Sequence, residues 1–134
     1  MRAVRSEAGI IRAASRRTPV RTLRLSPPER AAIALAIALL ALHAFAPGDA
    51  LEYQRGALAR QPWRVFTGHL VHINWPHALI NAAALWIVAR LYAPDLSASR
   101  QAIALAASAL AISAALAWLH PAIEWYRGLS GALH

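Results

Sequence analysis

The chain has 134 residues, 58% hydrophobic and 15% charged, so it has room for one domain and is too apolar for an ordinary soluble one. Its formal net charge is +8, every basic residue is arginine, and it contains no cysteine. Disulfides and thiolate metal sites are therefore excluded. The excess of positive charge leaves two candidate partners, nucleic acid and membrane lipid.

The first segment, residues 1–25, is a basic tail, and eight of the fourteen arginines precede residue 31. Such a tail could bind nucleic acid. Beside apolar helices it is more typical of a cytoplasmic tail that follows the positive-inside bias of membrane proteins. We therefore expect membrane lipid as the partner, no nucleic acid, and a cytoplasmic N-terminus.

A first apolar helix is predicted for residues 31–46, after a start signal. Ser26 is placed as the N-cap, with proline in the first turn and Glu29 at the third position. The run is at the short end of the roughly 17–25 residues that span a bilayer. A cleaved signal peptide is the alternative, because Ala44-Phe45-Ala46 resembles a cleavage site. The long basic region before it and Pro47 directly after the cut favour an uncleaved anchor.

Three further helices are predicted, at residues 76–90, 101–119 and 129–134. The charged and aromatic segment 48–74 precedes them and suits the membrane interface. The turn between the second and third helices carries Arg90 and Arg100, which places it in the cytoplasm. Segment 48–74 and the start of the fourth helix then share the outer side. The expected fold is an all-α polytopic membrane domain over residues 26–134, with three spans and the start of a fourth.

Two polar residues interrupt the second helix. His77 and Asn81 are spaced i, i+4 and share one helix face. Polar side chains within a span usually face a partner or a cavity. Both can donate hydrogen bonds to the oxyanion of an acyl-transfer transition state. A pair that only holds helices together, worth roughly 0.6 kcal/mol, is equally compatible with the spacing.

Ser130 follows Gly128-Leu129 and precedes Gly131, at the predicted start of the fourth helix. Small residues are common at helix contacts, so close packing is one explanation. The functional explanation is that glycines let the backbone approach closely and leave the serine N–H free. A helix N-terminus also favours the negative charge of an oxyanion.

The order of these motifs resembles that of the rhomboid family of intramembrane serine proteases. The motifs are Trp63-Arg64, His72, His77-x-x-x-Asn81 and Gly128-Leu129-Ser130-Gly131. The resemblance covers roughly residues 51–134. It implies a serine–histidine dyad in which Ser130 is the nucleophile, with His77 and Asn81 as oxyanion donors. It also implies that Trp63 and Arg64 lie in an external loop near the site and that His72 is structural or water-binding.

Within this family the chain is most similar to the rhombosortases, in its Gly68–His72 stretch, its compact size and His134. This implies a multi-pass protein of the bacterial inner membrane. Its substrate would be an exported or membrane-anchored protein with a C-terminal transmembrane or sorting segment. No cofactor is implied. A zinc site at His69, His72 and His77 is not expected, since no H-E-x-x-H motif and no neighbouring carboxylate accompany them.

The general base is the part of the site that the sequence does not supply. In the family it is a histidine on a different helix, about two helices after the nucleophile, whereas His134 lies one turn along the same helix as Ser130. We therefore expect a truncated and inactive chain. Two alternatives stay open: a non-catalytic rhomboid-like module that binds transmembrane clients, and a basic-tailed anchor in which the motif order is chance.

Overall fold

The computed structural model describes residues 24–134, so nearly all of the predicted tail 1–25 lies outside the described residues. Three long helices dominate. In chain order the elements are α1 (Pro27–Phe45), α2 (Gly48–Leu51), β1 (Tyr53–Gln54), a 3₁₀ turn (Arg55–Ala57), α3 (Arg64–Thr67), α4 (Trp75–Tyr92), α5 (Ala98–Trp118), β2 (Trp125–Tyr126) and α6 (Ser130–Leu133).

Helix α1 begins with the signal read from the sequence. The Ser26 hydroxyl accepts from the Glu29 N–H, and the Glu29 carboxylate accepts from the Ser26 N–H at 2.8 Å. This is a capping box. The helix starts four residues before the predicted position 31. The prediction began with the apolar run, whereas the proline and charged residues before it form the first turn.

The helices pack through small side chains. Helix α1 lies against α4, and Arg90 near the end of α4 meets Glu29 at the start of α1 with 3.0 Å between Nη1 and Oε1. The two helices are therefore antiparallel. Alanines allow close approach of helix backbones. The buried apolar cluster consists of Ala32, Leu39, Leu85, Ala89, Ala109, Leu129 and Ala132.

Two of the described helices, α1 and α5, are long and apolar enough to cross a membrane. Helix α4 has 18 residues and contains His77, Asn81 and Arg90, which lower its mean hydropathy. The structure therefore supports a mostly helical chain with two candidate spans. The third span remains a prediction.

A small antiparallel β pair was not expected from the sequence. Tyr53 in β1 is opposite Tyr126 in β2, and Gln54 is opposite Trp125. The predicted all-α fold is thus incomplete. The pair could not be predicted, because a two-residue strand is too short to show an alternating pattern. The pair joins the chain before α4 to the chain before α6. Both connections therefore lie at one end of the helices, called here the site end. The end where Glu29 meets Arg90 is called the opposite end.

Two arginines organise the connection between α1 and α4. The buried guanidinium of Arg64 donates to the carbonyl oxygens of Asp49 at 2.9 Å and Glu52 at 2.7 Å. Arg55 donates to carbonyl groups at the end of α5, including those of Leu116 and Ala117. These carbonyls have no partner within their own helix, so the arginine caps α5 and fastens the loop to it.

Candidate active site

The segment around Ser130 leaves β2 through a glycine in an unusual conformation. Gly128 has a φ of +121°, in the left-handed region that favours glycine. Its N–H donates to the carbonyl oxygen of Gly68 at 3.0 Å. The loop before α4 therefore fixes the backbone two residues before Ser130.

The first turn of α4 presses against the same glycine. A Cβ atom at position 128 would lie only 2.6 Å from Cε1 of His77. Any side chain at this position would collide with the imidazole, and the collision would be with a ring rather than with a flexible chain end. The structure thus brings His77 into contact with the segment that carries Ser130.

The local folding of α4 sets the orientation of His77 and Asn81. Asn74 caps the helix, and its side chain accepts from the His77 N–H at 2.9 Å. Asn81 is buried, and its Nδ2 donates to the carbonyl oxygen of His77 at 2.9 Å. An amide carries two N–H donors, so this bond engages one and leaves the other.

Ser130 is the first residue of α6, between a buried neighbour and a tight helix contact. Leu129 before it is 2% exposed. A Cβ atom at Gly131 would lie 3.0 Å from Cδ1 of Ile112 on α5. The backbone around Ser130 is therefore packed on both sides, while Ser130 itself remains partly exposed.

His134 is directed at the backbone of Ser130. Its Nδ1 lies 2.7 Å from the Ser130 carbonyl oxygen, which can only accept, so the ring donates this hydrogen bond. Within residues 24–134, no imidazole is hydrogen-bonded to the Ser130 hydroxyl. His134 therefore lies near Ser130 without contacting its nucleophilic atom.

His72 is a buried imidazole next to His77. It is 2% exposed, its ring centroid lies 5.2 Å from that of His77 and 6.5 Å from that of His43. Neither ring nitrogen has a hydrogen-bond partner among the described residues. Burial, followed by the charges of His77 and His43, lowers the pKa of His72 to about 4. His72 is therefore neutral at neutral pH.

The Trp63-Arg64 pair lies in the loop before α4. Arg64 acts inside this loop, through the two carbonyl contacts described above. Trp63 is 51% exposed at the start of α3. An exposed tryptophan beside apolar helices suits the membrane interface. Arg64 thus stabilises the loop that contains Gly68, and Trp63 lies at the exposed surface of that loop.

Two polar contacts at the site end were not identified from the sequence. Arg127 forms an ion pair with the buried carboxylate of Glu52. His69, for which no partner was predicted, lies with Nε2 3.0 Å from the Ser113 hydroxyl. A signal existed for the second contact, because Ser113 interrupts an apolar run and a polar residue in such a run usually has a partner.

Comparison with known proteins adds one match. The family model of the Rhomboid domain matches residues 59–134, more than half of the chain. No curated protein and no solved structure matches the chain. The matched range contains His77, Asn81 and Ser130, together with Trp63. The chain therefore belongs to the rhomboid family, a family of intramembrane serine proteases.

Proposed function

We propose that this chain carries the nucleophile and the oxyanion site of an intramembrane serine endopeptidase of the rhombosortase type. The contact between the His77 ring and Gly128, two residues before Ser130, is the observation that carries the proposal. This contact supports the proposal because it brings the His77 ring of α4 next to the segment that carries Ser130. Family membership alone would not support these catalytic roles, because one fold hosts many functions.

In the proposed reaction, Ser130 Oγ attacks the carbonyl carbon of the scissile peptide bond and gives its proton to a base. The developing oxyanion is stabilised by the remaining Asn81 N–H and the His77 ring. The Ser130 backbone N–H is a third donor, since the first N–H groups of a helix have no partner within it. The amine product leaves with the proton, and water then hydrolyses the acyl–serine ester.

Among the described residues, no imidazole is hydrogen-bonded to the Ser130 hydroxyl, so the proposed base is an imidazole supplied by a further helix or by a second subunit. His134 is engaged with the Ser130 carbonyl, and His77 lies on the oxyanion side. A serine hydroxyl is a weak nucleophile without a neighbouring base. We therefore expect no cleavage by these 134 residues alone, since removal of one dyad member eliminates most of the rate.

The proposed setting is the bacterial inner membrane, with the N-terminus in the cytoplasm and the site end towards the outer face. The arginine-rich N-terminal region supports this orientation, as does Arg90 at the opposite end. The substrate is an exported or membrane-anchored protein with a C-terminal transmembrane or sorting segment. Membrane lipid surrounds the helices.

The test is cleavage of a transmembrane reporter by a fusion that adds rhomboid helices carrying the base histidine after His134. We expect cleavage by the fusion, none by the 134-residue chain, and none by the fusion with Ser130→Ala. The fusion with Asn81→Ala should retain at most about 1% of the activity, because one oxyanion donor is worth roughly 10²–10³ in rate. Cleavage that persists in Ser130→Ala would overturn the proposal.

A second candidate function rests on a cleft of about 380 Å³ between α1, α4, α5 and α6. Its walls are mostly alanine and leucine, including Ala32, Leu35 and Leu105. Such a cleft suits a non-catalytic module that binds transmembrane clients through small-residue packing. Crosslinking of a client helix within the cleft, equal in the wild type and in Ser130→Ala, without any cleavage by the fusion, would favour this function.

A further inference from the structure

His69 is buried at the site end, where the reaction proposed above does not use it. It is 1% exposed, and its Nε2 lies 3.0 Å from the Ser113 hydroxyl of α5. Ser113 in turn donates its hydroxyl hydrogen to the carbonyl oxygen of Val65 at 2.7 Å. The Ser113 oxygen must therefore accept from His69, which fixes the imidazole as the Nε2–H tautomer.

The same imidazole contacts the strand that leads to Ser130. Its ring centroid lies 5.2 Å from that of Tyr126, at a tilt of 57°. Tyr126 is in β2, two residues before Gly128. The neighbouring Gly68 accepts the hydrogen bond from the Gly128 N–H. Residues 68 and 69 therefore connect α5 to residues 126–130, called here the Ser130 segment.

The Ser130 segment depends on such contacts, because its own secondary structure is minimal. The β1–β2 pair has two residues per strand, and an isolated short pair is marginal in stability. Gly128 adds the backbone freedom of glycine. Contacts from outside the strand must therefore hold the backbone before Ser130 in one conformation.

An apolar ring at position 69 would be the simpler way to fill this space. His69 instead has a buried Nδ1 with no hydrogen-bond partner among residues 24–134. Burial also lowers the pKa of His69. The polar backbone groups of Gly128 and Ala109 act in the opposite direction and raise this pKa, but by less. Burying an unsatisfied polar atom is unfavourable. The imidazole offsets this cost through its Nε2–H hydrogen bond to Ser113 and its aromatic contact with Tyr126.

We propose that His69 is a positioning residue for the Ser130 segment. It does not touch the reacting atoms. It links Ser113 of α5 to Tyr126, and through Gly68 to Gly128, so that Ser130 begins α6 at a fixed place. The catalytic consequence rests on the proposed function, whereas the structural link does not.

The experiment uses the 134-residue chain in lipid nanodiscs. The wild-type sequence has no cysteine, so Ser130→Cys introduces a single thiol whose alkylation rate reports on the mobility of the segment. His69→Phe keeps a ring against Tyr126 and removes the bond to Ser113. We expect alkylation to become about 5- to 10-fold faster, the factor typical for loss of one hydrogen bond.

Four further variants separate positioning from general destabilisation. His69→Gln, whose amide nitrogen can reach the Ser113 oxygen, should return the rate to within about twofold of the parent. Ser113→Ala should match His69→Phe, and the double variant should add nothing further, because both remove the same contact. Glu29→Ala, which removes the capping box and the Arg90 ion pair at the opposite end, should lower the Tm and leave the rate unchanged.

The proposal is overturned if His69→Phe accelerates alkylation no more than Glu29→Ala does at an equal loss of Tm. It is equally overturned if His69→Gln fails to restore the rate, or if the effects of the His69 and Ser113 variants add. Alkylation does not require Ser130 to be a nucleophile. The expected rates without any cleavage by the fusion would therefore contradict the proposed function and leave the positioning role standing.

Discussion

The two ends of the helices are built in different ways. At the opposite end, one ion pair between Glu29 and a half-exposed Arg90 joins α1 to α4, and the Gln101 side chain donates to the nearby carbonyl oxygens of Ala89 and Leu96. At the site end, several hydrogen bonds and one ion pair connect segments far apart in the chain. The Gly68–Gly128 bond and the Glu52–Arg127 pair are examples. The difference shows that helix packing sets the frame, while buried polar contacts place Ser130.

The largest effect is expected from a side chain at Gly128. Gly128→Val should lower the free energy of unfolding by roughly 2–6 kcal/mol, because it combines a strained φ with a collision against the His77 ring. It should also abolish cleavage by the fusion enzyme. Thermal unfolding in detergent and the reporter assay measure the two effects.

Gly56→Ala is the matched control, since no atom lies within 4 Å of a Cβ at that position and the residue has an ordinary φ. Its effect should stay within about 0.5 kcal/mol. Equal effects at positions 56 and 128 would contradict this expectation, because the positive φ and the close approach to His77 would then carry no cost.

A second effect should appear as a dependence of stability on pH. The buried His72 has its pKa lowered from 6.5 to about 4, by burial and then by His77 and His43, so the folded state binds its proton less readily than the unfolded state does. Its contribution is fully present above pH 6.5 and is lost as the pH falls towards 4. The Tm should therefore decrease across this window.

His72→Phe should flatten the dependence of Tm on pH between 6.5 and 4, measured by thermal unfolding at a series of pH values. Hydrogen exchange should show that residues 68–74 and 125–130 lose protection before α1 does. An unchanged pH dependence in His72→Phe would assign the effect to other groups and weaken the distinction between the two ends.

The smallest effect separates the two ion pairs. Arg127→Ala leaves the Glu52 carboxylate buried without its charge partner and should cost about 1–3 kcal/mol. Arg90→Ala removes a cation that is 53% exposed, and exposed pairs contribute only about 0–1 kcal/mol. Chemical denaturation of both variants at low and high salt measures the difference. A larger loss for Arg90→Ala would reverse the comparison.

The helices could be read from the sequence because their signals are local. The Ser26–Glu29 capping box, the apolar runs and the proline near the start of α4 each involve a few adjacent residues. The association of His77 and Asn81 with Ser130 came from the resemblance to the rhomboid family, and the family itself is shown by the match over residues 59–134.

The contacts at the site end could not be read in the same way. The β1–β2 pair joins residues about seventy positions apart and is too short for periodicity. The His69–Ser113 bond depends on where the loop before α4 meets α5. The sequence marked Ser113 as polar in an apolar run but did not specify its partner. The catalytic roles of Ser130, His77 and Asn81 remain predictions for experiment.

The most direct test of the proposed site is labelling of Ser130 by a serine-directed fluorophosphonate in purified membranes. We predict no labelling of the 134-residue chain, because His134 bonds to the Ser130 carbonyl and none of the described imidazoles is hydrogen-bonded to the hydroxyl. We predict labelling of the fusion that supplies the base histidine, and loss of that labelling in Ser130→Ala. Robust labelling of Ser130 in the 134-residue chain would contradict the claim that this chain lacks the base. It would point to His134 or a second subunit as the base.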